Sequence, residues 1–551
     1  MGNKKWTRRQ VLVTLTAAPF AAKAAVSPFK NTVFSDASVS LFNSAARVKC
    51  KLLGASGKPY ESDMMNRFHI CDLLSRPFQI DPQITKGEIL FLPVNKPFRI
   101  SLPLKVPGFG EVFVYADNKG KGYTAEQLAG KGELFLNYEF AVDRYATVTR
   151  LAKECAGDGI ELSSGAKERI NSAEKYLKQC EVNKSNDKAV AEWSMQSLRE
   201  SLYAGEMVVL ERARHRISKN GPRPGFLFGC NAFRFRDYGS PYTKLFEDVF
   251  NFATLPFYMT GTQKVKGQLD FSRLEPLLEA FANTQIITKG HPLIFLVPQS
   301  PEWIRNVPYS EVKKACTDYI RTSILRFRDR IHVWDVINEA HVQPDVQYGD
   351  AMIPDYTKEQ TIELSIAAAK AAHEADPTCF RIINSTGTWA DYYMGKNPAV
   401  WQQNPYDYLT MLEDAGCKYE AIGLQYYHSG RDLLEFERDL ERFAKFNKPI
   451  HITELQIPSS SEPIEGKDWW GGGIGGAGLN WHGDQFTETI QADWAEGMYT
   501  ILFSKPYVDA ATWWDMSDPA FVPHGGIVTR DNTPKESYRR LKKLFGQWRN
   551  M

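Results

Sequence analysis

Trp334-Asp335-Val336-Ile337-Asn338-Glu339-Ala340 and His451-Ile452-Thr453-Glu454-Leu455 decide how this chain folds. Each is an apolar, largely β-branched run that stops at a carboxylate. Strands buried on both faces read as near-continuous hydrophobic runs, and in an α/β barrel the residue ending such a run emerges at the functional rim. Outward from these two segments, the chain after residue 222 alternates strand-like and helical stretches. Strands are predicted at 226–231, 254–259, 286–295, 331–338, 380–384, 421–426, 449–454 and 509–515. Eight such βα units predict the α/β class, a (β/α)8 TIM barrel over 221–551. One intervening helix, 358–375, is marked by Thr357 and Gln360 at capping-box spacing and by Pro377 beyond its end. A doubly wound sheet would need a glycine-rich phosphate loop after its first strand, and none is present.

The 551 residues exceed the roughly 250 that a barrel takes. Residues 30–140 alternate in the β manner at 38–42, 48–53, 88–92, 98–104 and 111–116, with Gly, Pro and Asn turns between. A small β-sandwich-like accessory domain is predicted over 26–140, read as a structural cap in preference to a carbohydrate-binding module. Within 141–220, the stretches 151–155, 166–180 and 189–217 carry apolar residues at helical spacing among Glu, Lys and Arg, predicting a helical connecting region. Residues 1–25 read as a secretory signal. Lys4, Lys5, Arg8 and Arg9 precede the apolar run 11–22, and small residues follow at 22–25. Thr7-Arg8-Arg9-Gln10-Val11-Leu12 also resembles a twin-arginine export motif. Export to the periplasm or the extracellular space is expected, with no membrane span, because no later run approaches about 18 apolar residues.

Basic and acidic residues nearly cancel, 67 against 65, and no basic stripe lies outside the first ten residues. A nucleic-acid partner is therefore not expected. The eight cysteines form no CxxC pair. Their even number permits disulfides, but Cys230, Cys316 and Cys379 sit in apolar contexts where a buried free thiol is the commoner outcome. With no HExxH and no histidine cluster, neither a metal nor a cofactor is expected. A monomer is expected.

Two carboxylates from different barrel strands facing one cleft are the minimal equipment for cleaving a glycosidic bond. A retaining enzyme holds them about 5–5.5 Å apart and an inverting one roughly 6.5–9.5 Å. Asn338, next to Glu339, offers an amide to a sugar hydroxyl whose hydrogen bond strengthens in the transition state.

These segments resemble glycoside hydrolase family 10, the endo-β-1,4-xylanase family. Residues 334–340 are similar to its WDVVNEA segment and 452–455 to its ITEL. Lys289-Gly290-His291 with Pro301-Glu302-Trp303, Gly423-Leu424-Gln425, the strand-eight run from Thr512 to Asp518, and the closing run from Asp531 to Tyr538 resemble further landmarks in the expected order. The resemblance spans 222–548 and does not reach 26–220. It implies a retaining hydrolase acting on xylan or xylan fragments, with Glu339 as acid/base and Glu454 as nucleophile. It further implies that His291 and Asn338 contact the sugar beside the scissile bond, that Gln425 lies near the nucleophile and that Trp514 forms an aromatic floor. A β-glucan or other β-glycoside as substrate, and a non-catalytic carbohydrate-binding barrel, stand as the alternatives.

The chain departs from the family pattern in four places. The family's ENxxKW after strand two reads Leu255-Pro256-Phe257-Tyr258-Met259-Thr260-Gly261. Phe295 stands where a tryptophan is usual. The strand-six Gln-x-His becomes Gln425-Tyr426-Tyr427-His428, so either Tyr427 replaces the histidine or a bulge returns His428 to the cleft. Gln456 replaces the usual Asp two residues after the nucleophile. In addition, the Gly- and Trp-rich stretch 469–484 follows the nucleophile strand and reads as a lid or substrate wall.

Overall fold

The computed structural model describes residues 47–54, 56–129, 132–235, 239–296, 299–342, 356–389, 403–464 and 479–551. The signal segment, the strand expected at 38–42, and residues 469–478 of the expected lid lie outside the described residues.

Among the described residues, the amino-terminal region contains seven short strands. These are β1 (Val48–Lys51), β2 (His69–Cys71), β3 (Gln83–Thr85), β4 (Glu88–Phe91), β5 (Arg99–Val106), β6 (Gly110–Ala116) and β7 (Glu133–Phe135). They form a four-stranded sheet in the order β3-β4-β1-β7 and a three-stranded sheet in the order β2-β5-β6. Phe91, packed against Phe68 and Phe98 at 5.5 and 5.9 Å between ring centres, ties the two sheets together. Three long helices follow: α1 (Leu136–Gly157), α2 (Ser164–Val182) and α3 (Asp187–Asn220). Ser163 and Asn186 cap α2 and α3 through side-chain oxygens, which satisfies amide groups a helix start otherwise leaves open.

Eight parallel strands then close into a barrel: β8 (Leu227–Asn231), β9 (Phe252–Pro256), β10 (Ile287–His291), β11 (Val333–Asn338), β12 (Phe380–Ser385), β13 (Ala421–Tyr427), β14 (Ile450–Gln456) and β15 (Val508–Asp515). All eight predicted strands are present, with shifted ends. The second runs 252–256, not 254–259, and the third stops at His291, not residue 295. The helix at 358–375 forms with its capping box as predicted. Inside the barrel, Leu227, Phe252, Val333, Phe380, Ile382, Ala421 and Ala510 make an apolar plug from residues early in their strands. Polar side chains gather at the strands' carboxyl ends, the face on which barrel sites form.

The two regions share one hydrophobic core. The barrel helix α4 (Leu433–Phe443), which follows β13, is buried beneath α1 and α3. Its acidic residues are matched by arginines from the amino-terminal region. Arg144 pairs with Asp432 and, at 3.2 Å, with Glu435, and Arg212 pairs with Glu437 at 2.5 Å. Gly205 permits this approach, because a Cβ there would lie 2.9 Å from Leu434. Breaking one partner of such a buried pair is costly, since it strands the other charge. All eight cysteines are buried free thiols. Among the described residues no helix is long and apolar enough to cross a membrane.

Candidate active site

Residues 289 and 291 share one face of β10, since strand side chains alternate. Gly290 between them makes room for Trp334: a Cβ there would lie 2.2 Å from its ring. Lys289 and His291 both turn to Asp335, whose Oδ2 lies 2.7 Å from Lys289 Nζ and 2.6 Å from His291 Nδ1. All three are buried. Burial opposes ionisation of Asp335, but the Lys289 charge and the His291 hydrogen bond outweigh it and hold the carboxyl below its usual range. Burial lowers His291, so the ring is neutral near pH 7. With Nδ1 donating to Asp335, Nε2 is the acceptor, 3.9 Å from Glu454 Oε1.

Glu339 follows the last residue of β11 with φ +52°, a left-handed conformation uncommon in side-chain-bearing residues. Its amide donates to Asn384 O at 2.9 Å, which pins the turn to β12. Strain of this kind collects where geometry serves function. Gln425 Nε2 and Asn338 Nδ2 donate to Glu339 Oε1 at 2.7 and 3.2 Å. On the other side, Glu454 accepts from Tyr427 Oη at 2.5 Å and from Asn384 Nδ2 at 3.2 Å. The same Asn384 amide donates to Asn338 Oδ1 at 2.6 Å, and Thr453 Oγ1 fixes its orientation by donating to Asn384 Oδ1 at 2.6 Å. Glu339 and Glu454 thus belong to one continuous polar network at the carboxyl ends of β11 to β14.

Burial raises Glu339 to about 7, partly offset by the Gln425 and Asn338 hydrogen bonds. Burial, followed by the Glu339 charge, raises Glu454 well above the usual carboxylate range. Two carboxyls interacting this strongly lose their protons in two steps that belong to the pair.

An aromatic wall stands beside the pair. His291 and Trp514 meet edge to face at 5.2 Å, Phe233 contacts Trp514 at 5.6 Å, and Tyr258 contacts His291 at 5.7 Å. Tyr258 belongs to the stretch that departs from ENxxKW. It borders a cavity of about 670 Å³ with Phe233, Thr260, Leu274 and Gln299.

Glu339, Glu454, His291, Asn338, Gln425, Tyr427 and Trp514 converge here. His428 does not: it is buried, with Nε2 2.9 Å from Leu479 O. Tyr427 fills the place facing Glu454: the pairing of β13 with β14 shifts between Leu424 and Gln425 and then runs without a break from Gln425 opposite Glu454 to Tyr427 opposite Gln456, so no later bulge returns His428 to the cleft. Asp515 and Asp518 serve the loop after β15, Asp515 accepting from Asn231 Nδ2 and the Phe521 amide and Asp518 pairing with Lys535. Among the described residues no group of three His, Cys, Asp or Glu side chains could hold a metal ion. Asn384, Asp335, Lys289 and Tyr258 are site residues to which sequence reasoning gave no role; the last three appear there only as members of motifs. For Asn384 the available signal was a polar residue near the carboxyl end of an apolar barrel strand, β12.

The family model of glycosyl hydrolase family 10 matches residues 225–540. More than half of the chain is covered, and the chain belongs to that family; it is a glycoside hydrolase. Among its relatives is endo-1,4-beta-xylanase B of Thermotoga neapolitana, 26% identical over 292 residues that cover 51% of this chain and 75% of the relative. An endo-1,4-beta-xylanase of Geobacillus stearothermophilus is 28% identical over 264 residues, 45% of this chain and 71% of the relative. Other relatives are spanned less fully, such as endo-1,4-beta-xylanase B of Paenibacillus barcinonensis, of which 55% is covered. The crystal structure of native xylanase 10B from Thermotoga maritima is similar at a TM-score of 0.45 and 22% identity, over 62% of this chain and 99% of that one.

Proposed function

We propose that this chain is a retaining β-1,4-xylanase that cleaves xylan or xylan fragments by double displacement. The observation that carries the reading is the single network linking Glu339, Asn338, Asn384 and Glu454. In it, Glu339 holds the proton and gives it to the leaving oxygen while Glu454 attacks the anomeric carbon. Water, deprotonated by Glu339, then releases the sugar from Glu454.

Burial, followed by the Glu339 charge, raises Glu454 well above the usual carboxylate range while Glu339 rises to about 7, which by itself would leave the proton on Glu454. The Tyr427 hydroxyl and the Lys289 cation act in the opposite direction on Glu454, favouring its anion. Among the described residues Glu339 has only amide donors and no nearby cation, so it is the better proton carrier. His291 Nε2, held as an acceptor, suits a sugar hydroxyl next to the nucleophile. The xylanase names of the relatives support xylan as the substrate class.

A second reading keeps the mechanism and changes the sugar. It draws on Tyr258, which borders the cavity beside the site where the family carries polar residues. Hydrolysis of aryl β-xylosides, aryl β-glucosides and xylan separates the two. Cleavage of xylan and xylosides supports the first, and cleavage of glucosides alone would remove it. Export by the amino-terminal basic-apolar segment is also proposed, from its composition. Fractionation of expressing cells tests it, and full-length protein confined to the cytosol would contradict it.

A further inference from the structure

The amino-terminal region reaches the nucleophile side of the cleft through an unbroken set of contacts. The chain returning from β14 passes residues 479–483 along the edge of β6. The Glu111 amide donates to Asn480 O at 2.8 Å and the Gly483 amide to Phe109 O at 3.0 Å, with Gly110 bridged antiparallel to Trp481. Gly110 is required there, since a Cβ would lie 2.3 Å from Asn480 O. Leu479 packs against Phe113 and Tyr115 of β6. The Phe113 amide donates to Gly430 O at 2.8 Å, just beyond β13. Glu206, buried in α3, sits beneath this limb. It accepts from Trp481 Nε1 at 2.8 Å and from the Leu433 amide at 3.1 Å, and its other oxygen lies 2.6 Å from His482 Nε2. Burial alone would push the Glu206 carboxyl up, but the neighbouring His482 and its hydrogen bonds hold it below its usual value. From the limb, the Leu479 carbonyl takes the bond from His428, and the next residue inward is Tyr427, on Glu454.

We propose that the region 47–220 is a positioning element of the active site, and that Glu206 is the positioning residue that seats the 479–483 limb so that His428 holds Tyr427 against Glu454. The proposal rests on the assignment of Glu454 as the nucleophile. It gives the accessory sheet a task other than binding carbohydrate: its edge strand is already occupied by a segment of the barrel. An independent module would contact the barrel through a replaceable linker, whereas this one supplies backbone partners to two catalytic-face loops.

The test compares Glu206→Gln with the wild-type full chain. Two measurements are made: kcat and KM on an aryl β-xyloside, with active sites counted by trapping with a fluorinated dinitrophenyl xyloside, and amide exchange of residues 427–430 and 479–483. The expected result is faster exchange in both segments and a fall of about tenfold in kcat per trapped site, with KM nearly unchanged. A purely structural role would lower the number of trapped sites and leave kcat per site intact, and that result overturns the proposal, as does unchanged exchange at 427–430. Should Glu206→Gln fail to fold, His428→Leu cuts the chain of contacts one step closer in. Its kcat is expected to fall likewise, and to be restored by His428→Gln, whose amide can still donate to Leu479 O. A wild type that the xyloside does not label removes the double-displacement reading, and the exchange measurement then decides the positioning contact by itself.

Discussion

Tyr427 Oη lies 2.5 Å from Glu454 Oε2, so a tyrosine hydroxyl supports the residue assigned as nucleophile where the family places a histidine. The consequence is chemical. A histidine in that position can itself gain a charge near neutral pH, while this tyrosine is buried and pushed well above its usual value, and remains a neutral donor throughout. Gln456, in place of the charged partner such a histidine would need, instead accepts from the Val522 amide at 3.2 Å and so holds the loop after β15.

Tyr427→Phe deletes this donor and nothing else of comparable size. A hydrogen bond to a charged group contributes about 1.5–3 kcal/mol, which corresponds to roughly 10- to 150-fold in rate. We expect kcat/KM to fall within that range. Loss of the donor makes the Glu454 anion harder to form, so the acid limb of the pH–rate profile should move to higher pH. A variant with wild-type kcat/KM and an unmoved limb would detach Tyr427 from catalysis.

Glu339 carries the second prediction. Its carboxyl is raised to about 7, chiefly by burial, so it remains protonated into the neutral range and is lost as an acid when pH rises through that value. Activity should decline on the alkaline side near pH 7, and Glu339→Gln should abolish that limb. The stability sign follows the same proton. A carboxyl raised above its unfolded value favours the folded state at low pH and penalises it as pH rises. Glu339→Gln removes that penalty, so its melting temperature should exceed that of the wild type at pH 8 by more than at pH 4. Calorimetry at the two pH values reads the difference.

The existence of the barrel is legible in the sequence because most of its strands, buried on both faces, read as largely apolar runs. The same property blurs the ends. Leu255 to Met259 gives no periodicity to mark where β9 stops, and only the structure shows the ladder ending at Pro256 with a short helical turn from Met259. β2, β3 and β7 have three residues each, too few for a period of two to register. α1 starts at Leu136 behind Phe135, which makes no side-chain cap, so no local signal announces it. Glu339 and Glu454 stand out because a carboxylate ends a hydrophobic run. Asn384 ends one too, but its role depends on Thr453, Asn338 and Glu454 from two other strands. Whether Tyr427 or His428 faces the cleft depended on the pairing of β13 with β14, which spacing alone left open.

Asp335 yields a prediction about stability as well as activity. Lys289 and Asp335 are both fully buried and ion-paired at 2.7 Å. Asp335→Ala leaves the Lys289 cation without its partner, a change that typically costs about 3–5 kcal/mol. It also releases His291 Nδ1, so the ring no longer has a fixed acceptor at Nε2. The carboxyl of Asp335 is held below its usual value, so its contribution to stability is present above the unfolded pKa and is lost as pH falls through the folded one. Denaturant titration should show the wild-type advantage over Asp335→Ala at pH 7 shrinking toward the acid end. A constant difference would mean that the Lys289 pair is not its source.

Asn384 separates the orienting role of the network from its charge. The Nδ2 group donates to both Asn338 Oδ1 and Glu454 Oε1, while Oδ1 accepts from Thr453. Asn384→Asp keeps the shape and the Thr453 bond but replaces the donor with a third carboxylate between Glu339 and Glu454. The added negative charge disfavours the Glu454 anion, by the same like-charge repulsion that already couples the pair. We expect kcat to fall by at least the roughly tenfold of one lost charge-directed hydrogen bond, with the acid limb displaced upward. Asn384→Ala loses the donor without adding charge, so its acid limb should move less. If the two variants shift that limb equally, charge at this position is irrelevant and Asn384 acts only by holding Asn338 in place.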